Sequence, residues 1–199
     1  RQAREVRLGE REVATTHYLF FNCSRPPFAS REARRWLVAA IDRGNLVRSV
    51  VGSGGVVAAD PFARLARNWA SGLIVDPGDA RPPSWPTASV RIAVSSATVE
   101  RWPYLEIVQH IEDRLRRSGW ATTIAILEPG AYQEALRRRD FDLVVQPNTL
   151  MTGDPDFFYS YYLHTRAPGC FGCGRPATDL LIESARHEKD VDHRRAAYR

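Results

Sequence analysis

The sequence predicts an α/β domain with a mixed, mostly parallel β-sheet covered by helices. Three observations carry that expectation. From residue 90 onward, strand-like and helix-like runs alternate three times over, as they do when strands are joined by helical crossovers. The strand-like runs are short and apolar: VRIAVS at 90–95, TTIAIL at 122–127 and FDLVV at 141–145. The last of these leads into a polar stretch, QPNTLMTGDP at 146–155. In open α/β sheets, ligands bind at the carboxyl ends of the strands.

The elements follow in order. Residues 1–16 are polar and show little periodicity beyond Val6 and Leu8. HYLFFN, residues 17–22, is aromatic-rich and reads as a buried strand closed by Asn-Cys-Ser. Arg25-Pro26-Pro27-Phe28 cannot be helical, because each proline restricts the residue before it. Ser30 is suited to cap a helix that places Ala33, Trp36, Leu37, Ala40 and Ile41 on one face. Asp42-Arg43-Gly44 breaks it, and a short helix with Leu46, Val47 and Val50 follows. Residues 56–87 are irregular and rich in Pro, Gly and Asp, with Trp69 and Trp85. A stretch of that length is expected as an insertion lying over the sheet through Phe62, Leu65 and Trp69.

Pro103 opens a long helix with Leu105, Val108, Ile111 and Leu115 on its apolar stripe, and Gly119 ends it. Glu128-Pro129-Gly130 turns into a helix carrying Tyr132 and Leu136. Asp154-Pro155 opens the next, which carries Tyr159, Tyr161, Tyr162 and His164. Asp154 and Asp156 are expected to cap that helix start, and the aromatics to enter the core.

With 199 residues, 44% of them hydrophobic, the chain can bury a core. No apolar run approaches the roughly 20 residues needed to span a bilayer. The chain starts without Met and stops inside a helical pattern, so it reads as a fragment of a longer protein. Net charge is +5, and Lys189 is the one lysine among 28 basic residues. The arginine clusters at 34–35, 114–117 and 137–139 fall on or at the ends of predicted helices beside acidic residues. That pattern suits solvated helix faces, and no nucleic acid is expected as a partner of this segment.

Three cysteines are present, Cys23, Cys170 and Cys173. Cys170-Phe-Gly-Cys173 fits a small disulfide of an exported protein, two free thiols, or half of a metal site. His164 and the two cysteines are the weak candidates for metal, and no metal or cofactor is expected. A Walker loop, a GxGxxG after a strand, an HExxH and a nucleophile elbow are all missing. Enzymatic chemistry therefore has no positive support.

Several segments together carry a resemblance. HYLFFNCSRPPFASREARRWLVAAIDRGNLV, beginning at His17, resembles a stretch of the family 5 extracellular solute-binding proteins. There, a strand ending in Phe-Asn precedes Pro-Pro-Phe and a helix ending in Ala-Ile-Asp-Arg. Residues 104–145 and 177–199 are similar to later stretches of the same family in the same order. The resemblance implies one lobe of the type II periplasmic-binding-protein fold, spanning 1–199, with 56–87 as a long irregular insertion. It implies capture of a peptide, a metal complex or another small solute for ABC permease subunits. The ligand would be trapped against a first lobe of the same protein, periplasmic or extracellular and membrane-anchored. By the resemblance, the ligand-facing residues are Gln146, Asn148, Thr149, Met151, Asp154 and Tyr159. Asn148 stands where the family's dipeptide binders have Trp, and Met151 where they have the aspartate that pairs with a peptide's amino terminus. A neutral, apolar or metal-chelate ligand is accordingly easier to accommodate than a dipeptide. Two other readings stay open, the sensing domain of a cytoplasmic transcription regulator and an interaction module that has lost solute binding.

Overall fold

The computed structural model describes residues 13–58, 61, 89–149 and 154–198. In chain order these form β1 (Thr15–Phe21), α1 (Arg31–Ala40), α2 (Arg43–Val50), β2 (Ser89–Ser95), α3 (Ser96–Val99), α4 (Tyr104–Arg117), β3 (Ala121–Leu127), α5 (Pro129–Arg138), β4 (Leu143–Thr149), α6 (Asp156–Tyr162), α7 (Pro176–His187) and α8 (Val191–Ala197). The expected insertion at 56–87, with Phe62, Leu65, Trp69 and Trp85, lies almost wholly outside the described residues, as do Val6 and Leu8. No helix among the described residues is long and apolar enough to cross a membrane.

The four strands make one mixed sheet in the order β1-β4-β2-β3. β2 runs parallel to both β3 and β4, and β1 runs antiparallel to β4. The expected mixed, mostly parallel sheet covered by helices is what the chain forms. Alternation along each strand divides the core into two sides. Leu19, Phe21, Val90, Ile92, Val94, Leu143 and Val145 face α1 and α4, meeting Trp36, Leu37, Val108, Ile111 and Leu115. Phe20, Ala93 and Val144 face the other way, toward Tyr132, Phe141 and Phe171. Tyr18 and Phe20 continue that second side onto Phe158 and Tyr162 of α6.

Local chemistry sets the element ends. Ser30 caps α1 as expected, its hydroxyl accepting from the amides of Glu32 and Ala33. Asp42 does the same for α2 through the amide of Asn45. The first core anchor of α4 is Tyr104, fully buried, rather than the neighbouring Leu105. The helix begins one position before the apolar stripe read from sequence, and a tyrosine hydroxyl there has a partner. Tyr104 Oη lies 2.8 Å from Nδ1 of His17 on β1. The His17 ring also meets Trp102 edge-on at 4.7 Å between centroids. Its outer rim meets solvent, but the aromatic cover holds its pKa below the ordinary 6.5. On α4, His110 is depressed in the same direction, first by burial and then by Arg114, and its Nε2 has no hydrogen-bond partner among the described residues.

The amino end of β4 is held by a polar knot. Asp142 accepts from the Arg91 backbone amide at 2.8 Å and from Arg25 Nε at 2.9 Å. Asn22, fully buried, donates its amide to the carbonyls of Phe141 and Arg139 at 2.8 and 3.1 Å. The Asn22 backbone amide reaches the Asp142 carbonyl at 2.9 Å. The end of β1, the start of β2 and the start of β4 are thus joined through two buried polar side chains.

A disulfide joins Cys23 to Cys173, 150 residues apart. This corrects the expected choice among a Cys170–Cys173 bridge, a free pair and a metal clip. Cys173 pairs across the fold, while Cys170 is a buried free thiol. Sequence spacing favours local pairing, but β1 delivers Cys23 against the loop that precedes α7. Closing a loop of that length removes about 5 kcal/mol of unfolded-chain entropy.

Two stability predictions follow from this packing. Asp142→Ala strands the Arg91 amide and the Arg25 guanidinium. It is expected to lower stability by about 2–3 kcal/mol, whereas Asp142→Asn keeps one acceptor and should lose about half of that. Urea melts would show a lower midpoint at unchanged slope. The second concerns pH. His17 and His110 bind protons less readily folded than unfolded, so protonation favours unfolding. Stability should therefore fall as pH drops below about 6.5. The depressed carboxylates, Glu134, Asp179 and Asp190, act only at lower pH. Urea melts near pH 7.5 and near pH 5.5 should show this slope, and the His17→Gln/His110→Gln pair of substitutions should flatten it.

Candidate functional site

Because β2, β3 and β4 are parallel, their carboxyl ends share one edge. The amino end of the antiparallel β1 lies there too. At this edge β4 differs from the sequence expectation. The strand was expected to end at Val145, with Gln146 opening a loop. It runs on to Thr149, through Gln146, Pro147 and Asn148. Pro and Asn are poor strand residues, which is why the boundary was misplaced. The structure tolerates them because β2 pairs with β4 only at Leu143 and Val144. Past that point, among the described residues, β4 has only β1 beside it, so Pro147 occupies an edge-like position where a missing N–H leaves no described second neighbour wanting. Register pairs Thr15 with Thr149, Thr16 with Asn148, His17 with Pro147 and Tyr18 with Gln146. The result is a two-stranded ribbon reaching past β2.

The ribbon has two faces. On one, Thr149 Oγ1 lies 2.8 Å from Thr15 Oγ1, and His17 sits against Trp102, whose ring also lies 5.4 Å from the Arg101 guanidinium. Trp102 is brought there by α3, a single turn directly after β2. On the other face are Gln146 and Asn148. Gln146 Oε1 accepts from Tyr132 Oη at 3.1 Å. Tyr132 is buried, and burial first, then Tyr162, raise its pKa, so it stays a neutral donor. The Gln146 amide nitrogen and the whole Asn148 amide have no partner among the described residues. Both side chains are half-buried. Two neutral amides, one fixed by a tyrosine, therefore stand side by side at the carboxyl edge. They can donate to and accept from amide, hydroxyl or carbonyl groups.

The remaining expected site residues do not join them. Asp154 is held by Arg194 of α8 in a two-point ion pair, 2.7 and 2.9 Å, and also accepts the Asp156 amide at 2.9 Å. It caps the start of α6, as expected, and its charge is already matched. Asp156 contacts Arg186, Ser160 and Tyr198. Tyr159 stacks on Tyr198 at 5.0 Å and donates its hydroxyl to that residue's carbonyl. Met151 lies outside the described residues. His164 lies just past the end of α6 rather than on it, with Nε2 3.3 Å from Glu183. No group of three or more His, Cys, Asp or Glu that could hold a metal forms among the described residues. Tyr132 was read from sequence only as a helix residue. The signal available was its place in the first turn of a helix that starts at the carboxyl edge.

Residues 2–169 match the family described as "Bacterial extracellular solute-binding proteins, family 5 Middle". No curated protein sequence matches the chain. Among solved structures, the ABC transporter-associated periplasmic binding protein DppA from Helicobacter pylori, in complex with the peptide STSA, superposes with a TM-score of 0.79 at 19% identity. The dipeptide binding protein from Pseudoalteromonas sp. SM9913, in complex with Met-Leu, gives 0.76 at 22%. The Escherichia coli murein tripeptide binding protein MppA gives 0.73 at 20%. These matches cover 94%, 95% and 94% of this chain but only 38%, 40% and 39% of theirs. At such identities the likeness is one of fold. The ordered segments of the sequence, the mixed sheet and the extent of the family match agree: the chain belongs to the bacterial extracellular solute-binding proteins of family 5.

Proposed function

We propose that the described residues form a single lobe of a two-lobed solute-binding protein, and that this lobe captures a small solute for an ABC importer. The observation that carries the reading is the β1–β4 ribbon, which projects past the sheet and presents Gln146 and Asn148 with unused hydrogen-bonding capacity. Half-buried amides that are not spent on the fold are suited to a ligand. The share of the structural neighbours that this chain spans leaves room for a second lobe. Its carboxyl edge would then be one wall of a cleft, and closure around ligand would be what the permease senses.

The ligand class follows from charge. From Leu143 to Gly153 the chain carries no charged residue. The first carboxylate after them, Asp154, is engaged by Arg194. The β4 stretch of this wall, among the described residues, therefore offers no free carboxylate to balance the ammonium of a free peptide amino terminus, which a charge-assisted hydrogen bond would require. Solutes whose contacts here are neutral fit it better: a blocked or internal peptide segment, a neutral apolar molecule, or a metal chelate.

The disulfide favours export over the cytoplasmic regulator. A bridge joining the end of β1 to the α6–α7 loop is formed and kept in an oxidising compartment, while cytosolic thiols are held reduced. This supports a periplasmic or extracellular site of action.

Native mass spectrometry of the full-length protein, purified from its own host without denaturation, tests the reading. A small-molecule adduct that is lost on unfolding and refolding is expected. A clean ligand-free mass would favour the module that has lost solute binding. With the adduct identified, Gln146→Ala and Asn148→Ala should each weaken binding about 3- to 10-fold, the worth of one neutral hydrogen bond. Tyr159→Phe should leave affinity unchanged, because its hydroxyl is spent on the Tyr198 carbonyl.

A further inference from the structure

The three cysteines compete for one bridge, and the fold settles the competition only at the end. Cys23 is bound to Cys173, yet its backbone amide hydrogen-bonds to the carbonyl of Phe171 at 2.7 Å. Cys23 thus sits against the middle of the Cys170-Phe171-Gly172-Cys173 turn. Two glycines decide between Cys170 and Cys173. Gly172 has φ +84, and a Cβ there would fall 2.8 Å from the Ser24 nitrogen, so only glycine lets the turn approach Cys23 and Ser24. At Gly174 a Cβ would fall 2.8 Å from Cys170 Sγ. Its absence lets the Cys170 sulfur turn inward, where it accepts the Gly174 amide at 3.2 Å and is 2% exposed. Cys173 is left at the surface, facing Cys23.

None of this discrimination exists before folding. Cys170 stands three residues before Cys173, so Cys23 closes a loop of nearly the same length with either. Loop-closure entropy separates the two by only about 3% in probability. Cys170 and Cys173 are also near each other in the unfolded chain, whatever the fold does.

We propose that the native bridge is reached by thiol–disulfide exchange, with Cys170 as the departing thiol. A small disulfide oxidant such as glutathione disulfide makes a first bridge, Cys170–Cys173 or Cys23–Cys170. In the first case the Cys23 thiolate attacks Cys173 Sγ; in the second the Cys173 thiolate attacks Cys23 Sγ. Each attack forms the Cys23–Cys173 bond and breaks one sulfur–sulfur bond. Cys170 leaves as a thiolate and takes a proton from water, so no net oxidation occurs. Burial of Cys170 behind Gly174 then removes the only internal nucleophile that could reverse the step.

The test is oxidative refolding of the intact, reduced and unfolded chain with glutathione disulfide. Free thiols are alkylated at intervals and the bridges mapped by peptide mass spectrometry. Early samples are expected to hold roughly half or more of their single-bridge chains as Cys170–Cys173 and Cys23–Cys170. These should convert to Cys23–Cys173 with no further oxidant, and alkylating the one remaining thiol should stop the conversion. Cys170→Ser and Cys170→Ala should form the native bridge directly, with no other internal bridge at any time. Dominance of Cys23–Cys173 from the first sample would overturn the proposal, and the bridge map of the unaltered chain gives that answer even where neither variant folds.

Discussion

The buried knot of Asn22 and Asp142 is the constraint on which the rest of this structure leans. Both side chains are polar and sit where water does not reach, so each must be fully paired or the fold loses the desolvation energy of an unmet group. Asn22 spends its amide on two carbonyls just before β4, and Asp142 spends its carboxylate on β2 and on Arg25. Those pairings are possible in a single register. A slip of one residue along β4 would turn every side chain to the opposite face. Val144 would leave its place under Phe20 and Phe171, and Gln146 and Asn148 would turn toward the side now held by His17 and Trp102. The chemistry of the carboxyl edge is thus fixed from the far end of the strand.

Charge is distributed along the same axis. α4 and α5 each end where β3 and β4 begin, and their last turns carry Arg114, Arg116, Arg117, Arg137 and Arg138. Cations there complement the negative helix ends. They are further engaged by acids one turn away, Glu112 with Arg116 and Glu134 with Arg137 and Arg138. The hydrogen bond from Arg137 in particular holds Glu134 below the usual carboxylate range. At the opposite edge the ribbon carries threonine, glutamine and asparagine. These two arginine clusters are therefore a property of helix termini at one pole, away from the surface where the solute is proposed to bind.

Much of this was legible in the sequence, and the reasons differ by element. The Ser30 cap, the stripe on α1, the alternation from residue 90 and the stop at Gly119 are local signals, and local signals survive folding. The length of β4 was not legible. Pro147 and Asn148 argue for a loop by propensity, and only the partner strand β1, more than a hundred residues earlier, makes them strand. The cysteine pairing failed for the same reason: spacing of three suggests a local bridge, while tertiary structure brings Cys23 to the turn. Asp154 was placed correctly at a helix start. That its charge is taken by Arg194 could not be read, because the two are 40 residues apart and meet through the packing of α8.

That last pairing bears on what a lobe of this kind can discriminate. Specificity is a difference between affinities, and a carboxylate already in a two-point bond with a guanidinium offers little to an incoming ammonium. Capturing Asp154 for a ligand would mean stripping it from Arg194, which also donates to the Ala185 carbonyl and lies 5.6 Å from the Tyr198 ring centre. α8 would lose its anchor on the start of α6 in the process. The fold thus uses Asp154 to hold a helix and leaves the Gln146 amide nitrogen and the Asn148 amide without a partner among the described residues. On the proposed reading, a wall built that way would reject a charged group by leaving its desolvation unmatched, and would accept a neutral one through hydrogen bonds oriented by Tyr132 and the strand register.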